Sequence, residues 1–160
     1  MTLRVAIVGP GLVGAALVEQ LLAYRTSSQY ASLPIKLAGV INTKGMLFED
    51  ALDAIGSIAD LQSAMASAPA SDLEQFTAAF AKNGPAVVVD CTSSDSVAAK
   101  YPAWLRQGLS VVTPNKKGFS GPQSLFDEIQ ALSQNPAGPY VYHESTVGAG
   151  LPVLSTLNDL

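Results

Sequence analysis

Three glycines, Gly9, Gly11 and Gly14, stand at G-x-G-x-x-G spacing within the run VAIVGPGLVGAAL, residues 5–17. That spacing suits a loop wrapped around a pyrophosphate. One glycine makes a tight turn, the second lets the backbone approach the anion, and the third lets a helix pack closely on a strand. Leu12 and Val13, between the second and third glycines, would open a helix whose unpaired N–H groups and partial positive charge face the phosphates. A stiff Gly9-Pro10-Gly11 turn without a ligand is the competing reading. The β-α-β pattern around the turn favours the dinucleotide.

Three later segments carry polar groups of the same kind. The second apolar run ends in Asn42-Thr43-Lys44, with no carboxylate about 20 residues past the turn where NAD-specific sites often hold a ribose 2′-hydroxyl. NADP(H) is therefore favoured and NAD(H) possible, with Asn42 and Lys44 as cofactor ligands, although Lys44 reads equally well as a solvated loop lysine. After VVVD come Cys91-Thr92-Ser93-Ser94-Asp95, where hydroxyls could line the cofactor or one serine could cap a helix. After LSVVT come Pro114-Asn115-Lys116-Lys117-Gly118. On an extended segment the two lysines would point to opposite sides, so that one at most faces a site and polarises a carbonyl. A bare pair of lysines more often faces solvent.

The segment Glu144-Ser145-Thr146-Val147-Gly148-Ala149-Gly150-Leu151 could turn carbonyl oxygens towards a hard cation beside Glu144, or act as a glycine hinge. Spacing alone favours the hinge. His143, the single histidine, lies in an apolar run and reads as structural. Cys91 reads as a small buried side chain with nothing beside it in sequence to lower its pKa.

Elements of an α/β domain would position these groups. LRVAIV and IKLAGVI are strand-like runs separated by a helical pattern at Leu17, Val18, Leu21 and Leu22. Asp72 can cap a helix over LEQFTAAFAK that stops at Asn83-Gly84-Pro85, and AVVVD follows as a strand buried on both faces. A helix over 99–108 stopping at Gly108, a strand over 110–113, a helix opened by Ser120 and Pro122, and a last strand in YVYHES continue the alternation. The fold class is α/β, a Rossmann-like doubly wound, mostly parallel sheet with helices on both faces. Val153, Leu154, Leu157 and Leu160 form an apolar helical stripe that reads as the start of a helix leading into a further region.

At 160 residues the chain suits one domain, and 48% hydrophobic with 14% charged residues describes a globular one. The net charge of −4 with scattered basic residues provides no footprint for nucleic acid and no polybasic patch for a membrane. No apolar run reaches the ~18 residues of a membrane span. Strand-like residues from Leu3 leave no room for a signal peptide, and one cysteine suits a reducing compartment. A cytoplasmic protein is expected.

In this order, VGPGLVG, VVVDCTSS, VVTPNKKGFS and YHESTVGAGLPV resemble homoserine dehydrogenase, most closely the fungal-type enzyme without a fused kinase, and the resemblance spans nearly the whole chain. It implies NAD(P)H-dependent interconversion of L-aspartate 4-semialdehyde and L-homoserine on the path to threonine and methionine. By resemblance, Gly9 to Gly14 bind the pyrophosphate, with Gly11, Leu12, Val13 and Gly14 in the turn. Thr92 and Ser93 match hydroxyl positions beside the nicotinamide, and Lys116 matches a catalytic lysine near cofactor and substrate. Glu144, Val147, Ala149 and Leu151 match a sodium site, which reverses the preference for a bare hinge. The resemblance also implies residues 1–150 as the NAD(P)-binding domain and 151–160 as the start of a helix into a substrate and dimerisation region. The substrate ligands and a second lysine of that region are absent here. The intact enzyme is expected to be a homodimer, and these 160 residues alone to bind cofactor with little turnover. The rival readings are a non-catalytic dinucleotide-sensing module and the cofactor domain of another aldehyde- or imine-reducing dehydrogenase.

Overall fold

The structure, a computed structural model, describes residues 1–82 and 84–159. Six strands, β1 (Leu3–Val8), β2 (Ile35–Ile41), β3 (Met46–Phe48), β4 (Ala86–Asp90), β5 (Ser110–Val112) and β6 (Val141–Tyr142), form one sheet in the order β3-β2-β1-β4-β5-β6. β1 runs parallel to β2 and β5 parallel to β6, while β3 is antiparallel to β2. This is the expected mostly parallel α/β sheet, with β3 as an addition that the sequence patterns did not indicate. The chain divides into two compact units, Met1–Val88 and Val89–Leu160.

In the first unit, α1 (Leu12–Arg25) lies between β1 and β2, burying Gly14 and Val18 and half-burying Leu17, Leu21 and Leu22. The register of β1 on β2 slips once. Val5 faces Leu37 but Ala6 faces Gly39, so Ala38 is an extra residue in β2. Gly39 then sits beneath α4 (Leu73–Ala81), and a Cβ there would lie 2.5 Å from the Phe80 ring and 2.8 Å from Phe76. Those two rings and Phe48 cluster with centroids 5.2 to 6.2 Å apart. Asp72 caps α4 as expected, its Oδ1 accepting the Gln75 amide at 2.9 Å. Of the predicted stop, Asn83 lies outside the described residues, and Gly84 takes φ +92°. The alanine- and serine-rich stretch between β3 and α4 holds two further helices, α2 (Glu49–Leu52) and α3 (Ile58–Ala66).

In the second unit, the helix expected over 99–108 is two pieces, α5 (Asp95–Ala98) and α6 (Tyr101–Arg106). Ser94 caps the first, accepting the Val97 amide at 3.3 Å, and Gly108 ends the second region at φ +80°. After β5 come α7 (Lys117–Ser120) and α8 (Gln123–Ser133). Ser120, expected to open the longer helix, instead closes α7, its hydroxyl donating to the Lys116 carbonyl at 3.0 Å, and Pro122 holds the N-cap of α8. Ile129 of α8 is buried and Leu125 and Leu132 are half-buried, which fits the predicted stripe.

The last strand is shorter than YVYHES. Only Val141 and Tyr142 pair, and Glu144–Thr146 coil into a 3-10 turn, closed by the Thr146 amide and hydroxyl on the His143 carbonyl at 2.9 and 2.6 Å. In α9 (Val153–Asn158) Val153 and Leu154 are half-buried and Leu157 is exposed. Leu160, the last member of that stripe, lies outside the described residues. No helix among the described residues is long and apolar enough to cross a membrane.

Candidate cofactor site

The glycine turn follows β1 directly. Gly9 takes φ +84°, the left-handed region that side chains disfavour, and its amide donates to the Ile41 carbonyl at 2.9 Å, tying the turn to the end of β2. Gly14 is buried within α1. Gly11 differs from both. Its φ is −76°, and a Cβ there would meet nothing within 4 Å. The protein's own packing therefore gives no reason for glycine at 11. Gly11 is the N-cap of α1, which has no side-chain cap and no acidic residue in its first turn. Leu12 and Val13 are exposed beside it. The four-turn helix thus begins without a side-chain cap at an exposed turn, the setting in which an anion is bound by main chain.

A cleft of about 280 Å³ adjoins the turn. One side comprises Pro10, Ala15, Asn42 and Lys44, and the other is built by Ile58, Leu61, Gln62, Met65 and Ala66 of α3. The Asn42 side chain shapes the loop as well as lining it, since Oδ1 accepts the amides of Lys44 at 2.8 Å and Gly45 at 2.9 Å. The Thr43 carbonyl accepts the Ser71 hydroxyl at 3.2 Å. Gly45 packs so closely that a Cβ would lie 2.9 Å from Ala68 Cβ. Lys44 is exposed on this pinned loop, a cation with no carboxylate among the residues lining the cleft.

The α3 wall was missed from sequence, although a signal was present. Ser57 and Asp60 form a reciprocal cap, with the Asp60 amide on Ser57 Oγ at 3.2 Å and the Ser57 hydroxyl on Asp60 Oδ2 at 2.8 Å. Ile58, Leu61 and Met65 follow at helical spacing.

In the second unit, the loops after β4 and β5 carry the other candidates. Thr92 is half-buried and Ser93 exposed. The Thr92 amide donates to Asp90 Oδ1 at 2.8 Å, and its hydroxyl oxygen accepts the Ser94 amide at 3.1 Å, which leaves the hydroxyl proton available to a ligand. Lys116 and Lys117 do not alternate on an extended segment. Lys116 takes helical angles (φ −72°, ψ −18°) at the N-cap of α7 and Lys117 is its first residue. The pair still divides its roles: Lys117 is bound to Asp95 at 3.4 Å, whereas the exposed Lys116 ammonium makes no ion pair among the described residues.

Cys91 is half-buried rather than buried, and burial, with the nearby Asp90 carboxylate, pushes its thiol up to about 11. His143 stacks on Phe119 with centroids 3.9 Å apart, and burial lowers its pKa, as befits a packing histidine.

In the segment 144–151, the consecutive positive φ angles of Gly148 (+72°) and Ala149 (+51°) turn the backbone sharply. Glu144 is engaged elsewhere: its carboxylate accepts the amides of Leu154 at 2.8 Å and Ser155 at 3.1 Å, at the start of α9. The Leu151 carbonyl accepts the Val153 amide at 2.9 Å. A carboxylate such as that of Glu144 and backbone carbonyls such as those of Val147, Ala149 and Leu151 are oxygen donors of the kind a hard cation such as sodium takes. Among the described residues, no group of three or more histidine, cysteine or acidic side chains could hold a metal ion.

A β-α-β unit whose glycine turn precedes an uncapped helix, beside a cleft at the end of β2, defines a dinucleotide-binding α/β domain. The family model described as homoserine dehydrogenase, NAD binding domain, matches residues 9–144, and the chain belongs to that family. It is 37% identical to an Arabidopsis thaliana bifunctional aspartokinase/homoserine dehydrogenase, covering 99% of this chain and 18% of the relative. With the Saccharomyces cerevisiae homoserine dehydrogenase it shares 33% identity over 98% of this chain and 43% of the relative. The fold also matches a hyperthermophilic archaeal homoserine dehydrogenase mutant solved with NADPH, at a TM-score of 0.69 and 23% identity over 98% of this chain and 48% of that one. The chain thus spans less than half the length of each of these proteins.

Proposed function

We propose that this chain binds the cofactor of an NAD(P)H-dependent homoserine dehydrogenase that interconverts L-aspartate 4-semialdehyde and L-homoserine on the path to threonine and methionine. Gly11 carries the reading: it is a glycine that the fold does not need, placed where a Cβ would obstruct an anion approaching the amides of α1. The bound cofactor supplies the hydride for the carbonyl carbon. The chain's own groups bind and polarise. The amides from Gly9 to Gly14, with Leu12 and Val13 beside them, hold the pyrophosphate. Asn42 and Lys44 hold the ribose and favour NADP(H) over NAD(H) through the lysine charge. Thr92 and Ser93 offer hydroxyls to the nicotinamide amide. Lys116, a cofactor ligand and the catalytic residue, supplies the positive charge that stabilises the substrate oxygen as negative charge develops on it.

Residues 1–150 form the NAD(P)-binding domain on this reading and 151–160 the lead into a substrate region. Glu144, Val147, Ala149 and Leu151 hold a sodium ion, for which Glu144 would give up its contacts to α9. The full-length enzyme is a cytoplasmic homodimer with no nucleic-acid or membrane partner, and the 160 residues alone bind cofactor with little turnover.

The test is calorimetric titration of NADPH and NADH into the full-length protein and its Gly11→Ala variant. The expected result is at least a tenfold loss of affinity for both cofactors in the variant, with an unchanged melting midpoint, because the added methyl meets no protein atom. Equal affinities in the two proteins would refute the site.

A further inference from the structure

We propose that Asn115 is a positioning residue for Lys116, acting through a buried polar hub built on the Asp90 carboxylate. The proposal rests on the reading of Lys116 as a cofactor and substrate ligand. Asn115 is 2% exposed although it neighbours two exposed lysines. Both ends of its side-chain amide are used. Nδ2 donates to Asp90 Oδ2 at 2.9 Å and to the Ser94 carbonyl at 3.0 Å, and Oδ1 accepts the Lys117 amide at 3.1 Å. Its own amide donates to Thr113 Oγ1 at 2.8 Å. The backbone is therefore fastened on each side of Lys116, whose ammonium alone stays uncommitted.

The anchor is unusual in composition. Asp90 is fully buried, and no cation pairs with it among the described residues. Its carboxylate accepts only uncharged donors: Asn115, the Tyr101 hydroxyl at 2.5 Å and the Thr92 amide at 2.8 Å. The Tyr101 hydroxyl also lies 3.0 Å from Thr113 Oγ1, which donates to the Asp90 carbonyl at 2.9 Å. A buried charge of this kind is a poor way to gain stability, since apolar packing of the same volume commonly does as well. What an apolar set could not do is fix two loops relative to each other. The hub joins the Thr92–Ser94 loop after β4 to the Asn115–Lys117 loop after β5, one contributing hydroxyls and the other the ammonium. A side chain as flexible as lysine gains most from a fixed origin, because each misplaced ångström weakens the interaction it makes with a charge or dipole.

The test is a double-mutant cycle in the full-length protein, read by the fluorescence of NADPH on titration, with a melting midpoint for each variant. Lys116→Ala is expected to weaken NADPH about tenfold and Asn115→Ala severalfold. The double variant is expected to bind no more weakly than Lys116→Ala alone, because Asn115 acts through the lysine. Multiplied losses in the double variant would overturn the proposal and leave Asn115 a merely structural residue. An unchanged affinity in Lys116→Ala would instead remove the reading of Lys116 on which the proposal stands. If Asn115→Ala fails to fold, Tyr101→Phe, which removes one donor to Asp90 at constant shape, takes its place in the cycle and is judged by the same outcomes.

Discussion

The two compact units present polar groups at strand ends with different materials. In Met1–Val88 the candidate surface is mostly main chain: a positive-φ glycine, a glycine without neighbours, and the amides of α1, beside a cleft walled by α3. In Val89–Leu160 the candidate groups are side chains, the hydroxyls of Thr92 and Ser93 and the exposed Lys116 ammonium, on loops whose neighbouring residues bond to the buried Asp90 carboxylate. The first arrangement tolerates sequence change wherever a side chain does not enter the turn. The second fails if any buried partner is lost, because each then leaves a donor or acceptor unsatisfied.

The largest expected effect tests that fragility. Asp90→Ala removes the carboxylate acceptor of three buried or half-buried donors, leaving the Thr92 amide without it, Asn115 Nδ2 with the Ser94 carbonyl alone and the Tyr101 hydroxyl with Thr113 Oγ1 alone, and each buried hydrogen bond lost costs about 1–3 kcal/mol. Thermal unfolding should show a loss of about 3 kcal/mol or more, a midpoint about 10 °C lower for a domain of this size. A loss below about 1 kcal/mol would mean that the hub is ornamental and would erase the contrast between the units.

The counterpart in the first unit is smaller. Gly39→Ala forces a methyl to within 2.5 Å of Phe80 and 2.8 Å of Phe76, so either the rings or α4 must shift, at about 1–3 kcal/mol. Since the clash is with side chains of the aromatic cluster and not with the turn, NADPH affinity should stay within about twofold. A large loss of affinity would show that the packing of α4 on β2 is coupled to the turn, and that the first unit is less modular than its geometry implies.

The same contrast explains what could be read in advance. Features built from neighbouring residues leave their mark locally: Gly9, Gly11 and Gly14 lie within six residues, and the cap at Asp72 lies next to the helix that it caps. The β-α-β core and the cap of α4 were therefore legible. The hub was not, because Asp90 meets Tyr101 and Asn115 across 11 and 25 residues, and nothing in a local pattern marks such a pairing. Asn115 has no local signal of its own beside two lysines. Local pattern places the lysine pair on an extended segment because α7 is only four residues long, too short for a periodicity to show. The three-residue β3 leaves no pattern for the same reason, and β6 ends before the apolar run does because the backbone already turns at His143, ψ 23°. The wall formed by α3 does carry a local signal, the Ser57-x-x-Asp60 cap.

The smallest effect sharpens the comparison at its weakest point, the exposed edge of the first unit. Lys44 is the one charged side chain among the residues lining the cleft, and it is exposed on a loop that Asn42 and Gly45 pin. Lys44→Ala should leave the fold and the NADH affinity untouched while weakening NADPH roughly five- to tenfold, the size of one charge-assisted contact to a phosphate. Salt should act in the same sense: screening over about 8 Å at physiological ionic strength should reduce the preference for NADPH in the unmodified protein and not in the variant. If both cofactors weaken equally, Lys44 supports the loop and does not select the phosphate, and cofactor choice must lie with the Asn42 amide. If neither weakens, the surface of the first unit is main chain throughout, and the contrast with the side-chain site of the second becomes complete.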